Sequence, residues 1–230
     1  MVTAILVAAG SSRRMGFDKL TAPLGGLPVA ERSLRVLCEC PGIHSVVVVT
    51  TAEKQDGFAA LAEKSRGKLA GVCEGGAERH FSVWAGLQRV PPGTRWVAVH
   101  DAARPLVSQR ALLAVIAAAR EAGAAALAHR VTDTLKRADA SARVIGSVDR
   151  EGLWAMETPQ IFRLDWLRDA YAGVVVAGTV VTDEVSAIQA AGHGVCLVEN
   201  PDPNPKITVA GDLVLAEALL RTEPPSADLA

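Results

Sequence analysis

Ala4-Ile5-Leu6-Val7-Ala8-Ala9, followed by Gly10-Ser11-Ser12-Arg13-Arg14-Met15-Gly16-Phe17-Asp18-Lys19, is the junction on which the reading of this chain turns. A short, continuous apolar run that stops at glycine predicts a strand buried on both faces, as inside a parallel sheet. The loop after it is rich in small residues and carries two arginines and a lysine. Backbone N–H groups left accessible by small side chains, with cations close behind, suit a polyphosphate. Five residues separate Gly10 from Gly16 and no Lys-Ser/Thr pair follows, so the loop is not a Walker A, and G-x-G-x-x-G is absent. By itself the loop reads equally well as a tight strand-to-helix turn with solvated arginines.

Further along, the same grammar repeats. Glu31 to Cys40 has helical spacing and stops at Pro41-Gly42, and Val46-Val47-Val48-Val49 is a β-branched central strand. Gly71 to Glu74 predicts a strand, Gly75-Gly76 a turn, and Ala77 to Arg89 a helix. Trp96 to His100 is a fourth strand, Leu112 to Ala122 an alanine-rich helix ending at Gly123, and Ala124 to Ala128 a short strand. Alternating strands and helices predict an α/β fold, a Rossmann-like doubly wound mixed sheet whose ligands collect at the carboxyl ends of its strands. From Val131 the pattern changes. Two β segments, Thr134 to Ala138 and Arg143 to Val148, flank a polar turn at Asp139-Ala140-Ser141. They predict a projecting β-hairpin arm over residues 131–150, which needs a packing partner because an isolated hairpin is marginal in water. Helical pattern returns over Leu164 to Ala172 and Asp183 to Ala191, then a strand from Gly194 to Glu199 and a helix from Asp212 to Arg221. One domain over residues 1–221 is expected, with a disordered tail over 222–230.

Bulk composition narrows the function. Half of the 230 residues are hydrophobic, 21% are charged and the formal net charge is −1. That balance carries no electrostatic footprint for nucleic acid, so a phosphate site must be local. No apolar run is long enough to span a membrane, and the N-terminus lacks the pattern of a signal peptide. Cys38, Cys40, Cys73 and Cys196 lack metal-ligand or disulfide-framework spacing and read as reduced thiols of a cytoplasmic protein. The five histidines do not cluster, which argues against a protein-built transition-metal site.

Asp101, just past a strand end, can hold Mg²⁺ or a substrate hydroxyl, and Arg104 three residues on can grip an anion. An internal Asp–Arg pair closing the turn is the structural alternative. Thr182-Asp183-Glu184 reads as a helix cap with acids in the first turn, and Lys206 as a lysine returned to the surface.

The order of Ala8-Ala9-Gly10, Arg14, Lys19, Gly75-Gly76-Ala77-Glu78-Arg79, His100-Asp101-Ala102-Ala103-Arg104-Pro105, Asp133-Thr134-Leu135-Lys136, Asp149-Arg150-Glu151-Gly152-Leu153-Trp154, Thr158-Pro159-Gln160, Thr182-Asp183-Glu184 and Lys206-Ile207-Thr208 resembles the 2-C-methyl-D-erythritol 4-phosphate cytidylyltransferase family. The resemblance runs over residues 3–221. The first loop is also similar to that of molybdenum-cofactor nucleotidyltransferases, and the later blocks separate the two groups. One departure is Asp18 before Lys19, where the family carries a longer loop with a proline. The resemblance implies transfer of CMP from CTP to methylerythritol phosphate in non-mevalonate isoprenoid synthesis, with Mg²⁺ bridging the triphosphate. It implies Arg14, Lys19, Arg150 and Lys206 as catalytic cations, and Ala8, Ala9, Gly10, Gly76, Ala77 and Ser82 around the nucleotide. Asp101, Ala102, Arg104, Thr134 and Arg150 would meet the acceptor, with Mg²⁺ held mainly by the triphosphate and Asp101 as the one candidate protein ligand. A homodimer is implied, the arm carrying Thr134 and Arg150 into the partner's site. The alternatives are a cytidylyltransferase for another alditol phosphate, such as ribitol 5-phosphate, and a nucleotide-binding module without turnover.

Overall fold

The computed structural model describes residues 1–10, 16–178, 181 and 183–222. The chain opens with β1 (Val2–Val7), a small β2 (Pro23–Leu24) and β3 (Leu27–Pro28) pair, and α1 (Val29–Glu39). Next come β4 (Ser45–Thr50), the short α2 (Gln55–Ala59), β5 (Leu69–Glu74), α3 (Arg79–Leu87) and β6 (Trp96–Asp101). They lead into α4 (Gln109–Ala122), β7 (Ala124–Arg130), the hairpin strands β8 (Leu135–Ala138) and β9 (Val144–Val148), and β10 (Trp154–Arg163). The last elements are α5 (Leu164–Ala177), α6 (Glu184–Ala190), β11 (Cys196–Glu199) and α7 (Ala210–Thr222).

Seven strands form one mixed sheet in the order β11-β7-β10-β6-β1-β4-β5. β1, β4, β5 and β6 are mutually parallel, as are β7 and β11, while β10 runs antiparallel to both β6 and β7. The continuous apolar runs now have a cause. Ala4, Leu6, Val46 and Val48 point into one core with Leu34, Leu37, Leu112 and Ile116, whereas Ile5, Val47 and Val49 enter the other with Val83, Leu87, Leu167 and Ile188. Helices cover both faces, so the middles of these strands are apolar on both sides, and the buried polar residues Thr3, Thr50 and His100 sit towards the strand ends. Each fully buried valine or leucine contributes about 1.5–3 kcal/mol of transfer free energy.

Two expectations change. β10 is a strand where the sequence reading assigns no element, and Pro159 in its middle lacks the N–H that a central strand needs. The register shifts between Met156 and Gln160, and Pro159 sits in that irregularity, after a cis Thr158–Pro159 bond, where no ladder bond is asked of it. Thr222 belongs to α7 rather than to a tail, and the rest of the tail lies outside the described residues.

The hairpin is present. β8 pairs β9 from Leu135–Val148 to Ala138–Val144, and Asp139 Oδ1 closes its turn by accepting the N–H of Ser141 and Arg143, both at 2.9 Å. It forms a sheet of its own, and Val144 and Ile145 on it are 65% and 61% exposed. Chain leaving β7 through this arm returns beside β7, which is why β10 alone is reversed in the sheet. Among the described residues no helix is long and apolar enough to cross a membrane. Cys38, Cys40 and Cys73 are buried and Cys196 exposed, none in a disulfide; burial pushes the Cys38 thiol up to about 11.

Candidate active site

The site forms where the strand order reverses, between β1 and β6, at the carboxyl ends of the parallel strands. After β1 the chain supplies Ala9 and Gly10, whose N–H groups bond to no described residue. After β5, Gly76 and Ala77 run close past α3. A Cβ on Gly76 would collide with Phe81, so only glycine lets the backbone follow this path. Ser82, buried on α3, holds the turn by donating to the carbonyl of Glu78 at 3.2 Å. Together with Lys19, Arg79, Asp101 and Lys206 these residues line a cleft of about 280 Å³. It adjoins a recess of about 320 Å³ that adds Arg104, Glu157, Thr158 and Asp183. A larger hollow, about 630 Å³, opens at the other end of the sheet beside Trp96 and Arg163, away from every residue singled out in the sequence.

Two lysines reach the cleft from opposite ends of the chain. Lys19 Nζ donates to the carbonyl of Ile207 at 2.8 Å, and Lys206 Nζ pairs with Asp101 Oδ2 at 2.6 Å. Ile207 N–H in turn donates to Ala103 O at 2.8 Å, tying the loop before α7 to the turn after β6. Asp18, the departure before Lys19, pairs with Lys54 at 2.8 Å and caps Leu20 N–H at 3.2 Å, which anchors the outgoing end of the first loop. Arg14 lies outside the described residues.

Asp101 is nearly fully buried, and burial alone would raise its pKa. The charges of Arg79 and Lys206 overcome it and hold the carboxyl well below the usual carboxylate range. Arg79 Nε donates to Asp101 Oδ1 at 3.0 Å. Its far edge grips Glu184 with bonds of 2.6 and 3.0 Å. Burial would lower the Arg79 pKa, but these carboxylates raise it, so the guanidinium stays charged. Beneath Asp101, Thr158 Oγ1 accepts the Asp101 N–H at 3.1 Å and donates to His100 Nδ1 at 3.0 Å. His100 Nε2–H is then left to donate to Arg104 O at 3.0 Å. Burial pushes His100 down to about 4, so it is a neutral structural residue at ordinary pH.

Several expected residues stand apart from the cleft. Ala8 and Ala102 are core residues with their backbones committed: Ala8 N–H to Val49 O, Ala102 N–H to Val7 O, and Ala102 O to Ser33. They shape the site from beneath. Arg104 lines the recess, but its guanidinium does not pair with the Asp101 carboxylate; the turn is closed by the Arg104 N–H, which donates to Asp101 O at 3.0 Å. Its guanidinium donates to Asn204 O at 2.7 Å and Met156 O at 3.2 Å, stitching the loop before Lys206 to β10. Thr134 and Arg150 line neither part of the cleft, both are exposed, and Arg150 donates to Thr132 O at the root of the arm.

Arg79, Glu157 and Glu184 were missed as functional candidates. Asp183 does cap α6, accepting Ser186 N–H at 3.0 Å, and Glu184 does lie in the first turn, but there it is fully buried against Arg79. Buried Glu157 accepts Asn204 Nδ2 at 2.7 Å, Asn200 Nδ2 at 2.9 Å and bonds His129 at 2.7 Å, so it fastens the same loop that presents Lys206. Arg79 stood in a quoted block without a role, and only its distant partners reveal one. For a metal the donor set is poor. Both Asp101 oxygens already face cations, and no group of three or more His, Cys, Asp or Glu side chains gathers among the described residues.

Cations and accessible N–H groups converging at the switch point of such a sheet make a phosphate-binding site of the kind that nucleotide-using α/β proteins carry. The family model for 2-C-methyl-D-erythritol 4-phosphate cytidylyltransferase matches residues 2–222, and the chain belongs to that family. It is 39% identical over 224 residues to the 2-C-methyl-D-erythritol 4-phosphate cytidylyltransferase of Symbiobacterium thermophilum, covering 96% of this chain and 94% of that one. The fold is similar to a 4-diphosphocytidyl-2C-methyl-D-erythritol synthase of Anaerococcus prevotii, with TM-score 0.85, 27% identity and coverage of 96% and 98%. It is similar also to a 2-C-methyl-D-erythritol 4-phosphate cytidylyltransferase of Thermus thermophilus, with TM-score 0.78, 33% identity and coverage of 94% and 98%.

Proposed function

We propose that this chain transfers CMP from CTP to the phosphate of 2-C-methyl-D-erythritol 4-phosphate, giving 4-diphosphocytidyl-2-C-methyl-D-erythritol and pyrophosphate for isoprenoid precursor synthesis. The observation that carries this reading is the pairing of family membership with a switch-point cleft that joins Lys19, Lys206 and Asp101 to accessible N–H groups. An oxygen of the acceptor phosphate attacks the α-phosphorus in line, and the bond from that phosphorus to the β-bridging oxygen breaks. The acceptor phosphate is already ionised, so the demand is for fixed cations rather than for a base. Lys19, with Arg14 from the first loop, meets the negative charge that grows on the α-phosphate and the leaving pyrophosphate. Ala9, Gly10, Gly76, Ala77 and Ser82 cradle the nucleotide, with Ala8 supporting the turn. Asp101 accepts the acceptor's hydroxyls, Ala102 and Arg104 shape its pocket, and Lys206 neutralises its phosphate.

Thr134 and Arg150 act in trans, each arm of a homodimer completing the other chain's acceptor site. Two observations support this: the arm forms a sheet of its own with Val144 and Ile145 exposed, and neither residue lines its own cleft. Because the cleft is a poor metal site, Mg²⁺ enters as the Mg²⁺ complex of CTP, a substrate rather than a resident ion. A cytoplasmic site of action accompanies this reading. The test is pyrophosphate release with CTP or UTP against methylerythritol phosphate or ribitol 5-phosphate. Turnover is expected with CTP and methylerythritol phosphate. UTP should lose at least about tenfold in kcat/KM, because a mismatched buried base edge leaves polar groups unpaired at ~1–3 kcal/mol each. Comparable rates with UTP sink the nucleotide pocket, and preference for ribitol 5-phosphate sinks the acceptor.

A further inference from the structure

Behind Asp101 lies a second carboxylate that the reaction does not use. Glu184 is fully buried, and a buried carboxylate persists only when paired and hydrogen-bonded. It has both. Arg79 Nη1 and Nη2 reach its two oxygens at 2.6 and 3.0 Å, and the hydroxyl of buried Tyr171 on α5 donates to Oε1 at 2.8 Å. The Nε side of the same guanidinium faces Asp101 Oδ1, with Nε donating at 3.0 Å and Nη2, shared between the two carboxylates, also at 3.0 Å. A guanidinium is rigid and planar, so fastening one edge fixes the direction of the other. The chain Tyr171–Glu184–Arg79–Asp101 thus runs from the core between α5 and α6 to the cleft wall. It leaves Asp101 Oδ2 for Lys206 at 2.6 Å. A lysine in place of Arg79 has a single nitrogen and could not bridge both carboxylates with this geometry. Fastened this way, Arg79 is also kept from swinging out to meet an incoming phosphate.

We propose that Arg79 is a positioning residue for the acceptor: held from behind by Glu184 and Tyr171, it keeps the Asp101 carboxylate in the one orientation that receives the acceptor's hydroxyls. The inference rests on the reading of Asp101 as the acceptor contact. Glu184 and Tyr171 line neither part of the cleft, so substitutions there act on the acceptor through the residues they hold, Arg79 first among them.

Steady-state kinetics with CTP and acceptor varied separately test it on Glu184→Gln, Tyr171→Phe and Asp101→Asn. Glu184→Gln keeps the shape and removes the charge; the acceptor KM should rise by about tenfold while the CTP KM stays within about twofold. Tyr171→Phe, which removes one hydroxyl, should move the acceptor KM the same way by about two- to fivefold, and it carries the test alone if Glu184→Gln fails to fold. Arg79→Lys should resemble Glu184→Gln rather than wild type. If Asp101→Asn raises the acceptor KM but Glu184→Gln and Tyr171→Phe do not, or shift both KM values together, Arg79 is merely structural and the inference is overturned. If Asp101→Asn itself leaves the acceptor KM unchanged, the reading of Asp101 fails and the inference falls with it.

Discussion

Lys19 sits at the end of a loop near the N-terminus, yet its ammonium donates to the carbonyl of Ile207, almost at the other end of the chain. That anchoring preorganises a charge before substrate arrives, which is where transition-state stabilisation comes from. Lys19→Ala is therefore expected to lower kcat by ~10²–10³ and to change the CTP KM far less; a normal kcat with a raised KM would make Lys19 a ground-state binder. His100 belongs to the same scale. Burial holds it at about 4 in the fold, while an unfolded chain titrates near about 6.5. Between those values the unfolded state binds more protons, so stability falls as pH drops through the window. The loss reaches about 3 kcal/mol by pH 4 if the fold keeps His100 neutral. Denaturant melts of wild type and His100→Gln from pH 7 to pH 4.5 should show a shallower acid slope in the variant. Parallel slopes would assign the acid sensitivity to other groups. The lysine and the Asp101 block could be read as candidates from the sequence, but Arg79 could not be given a role. Its meaning depends on Glu184, a residue on another helix whose burial no local pattern announces.

Among the elements, α3 shows how packing tolerances set what a sequence can be. A Cβ on Gly86 would lie 2.7 Å from Ile5 Cγ2 and 2.9 Å from Val49 Cγ2, so the helix rests directly on β1 and β4. Gly86→Val should destabilise by about 1–3 kcal/mol, read as a lowered midpoint in a denaturant melt, because the close-packed sheet side chains cannot move away. An unchanged midpoint would mean that α3 rides higher on the sheet than these distances state. Strands β1, β4 and β6 were legible because both of their faces are buried and the apolar runs are unbroken. Strand β10 was not, since Pro159 contradicts a central strand unless a bulge absorbs it, and a bulge leaves no mark in composition. The arm was legible as a hairpin from its polar turn, whose Asp139 makes the bonds such a turn requires.

For the whole molecule, the proposed two-fold exchange of arms makes each active site depend on two chains. Mixing inactive Arg150→Ala protein with inactive Lys19→Ala protein, after verified subunit exchange, should restore activity. A mixed dimer then holds one site with both lesions and one with neither. If Arg150 serves its own chain, every site keeps one lesion and the mixture stays silent. Apolar periodicity and the order of the motifs determined, by themselves, an α/β fold, a ligand site at its strand ends and the family. These are properties of local sequence: strands buried on both faces must be apolar, and backbone that approaches phosphates must be small. Only the tertiary structure decided which charges meet. Asp101 faces Arg79 and Lys206 rather than Arg104, Ala8 and Ala102 became core, and Glu157 and Glu184 became anchors. Long-range pairing of charges depends on how loops far apart in the chain are folded against one another, and burial then amplifies each pair by excluding water.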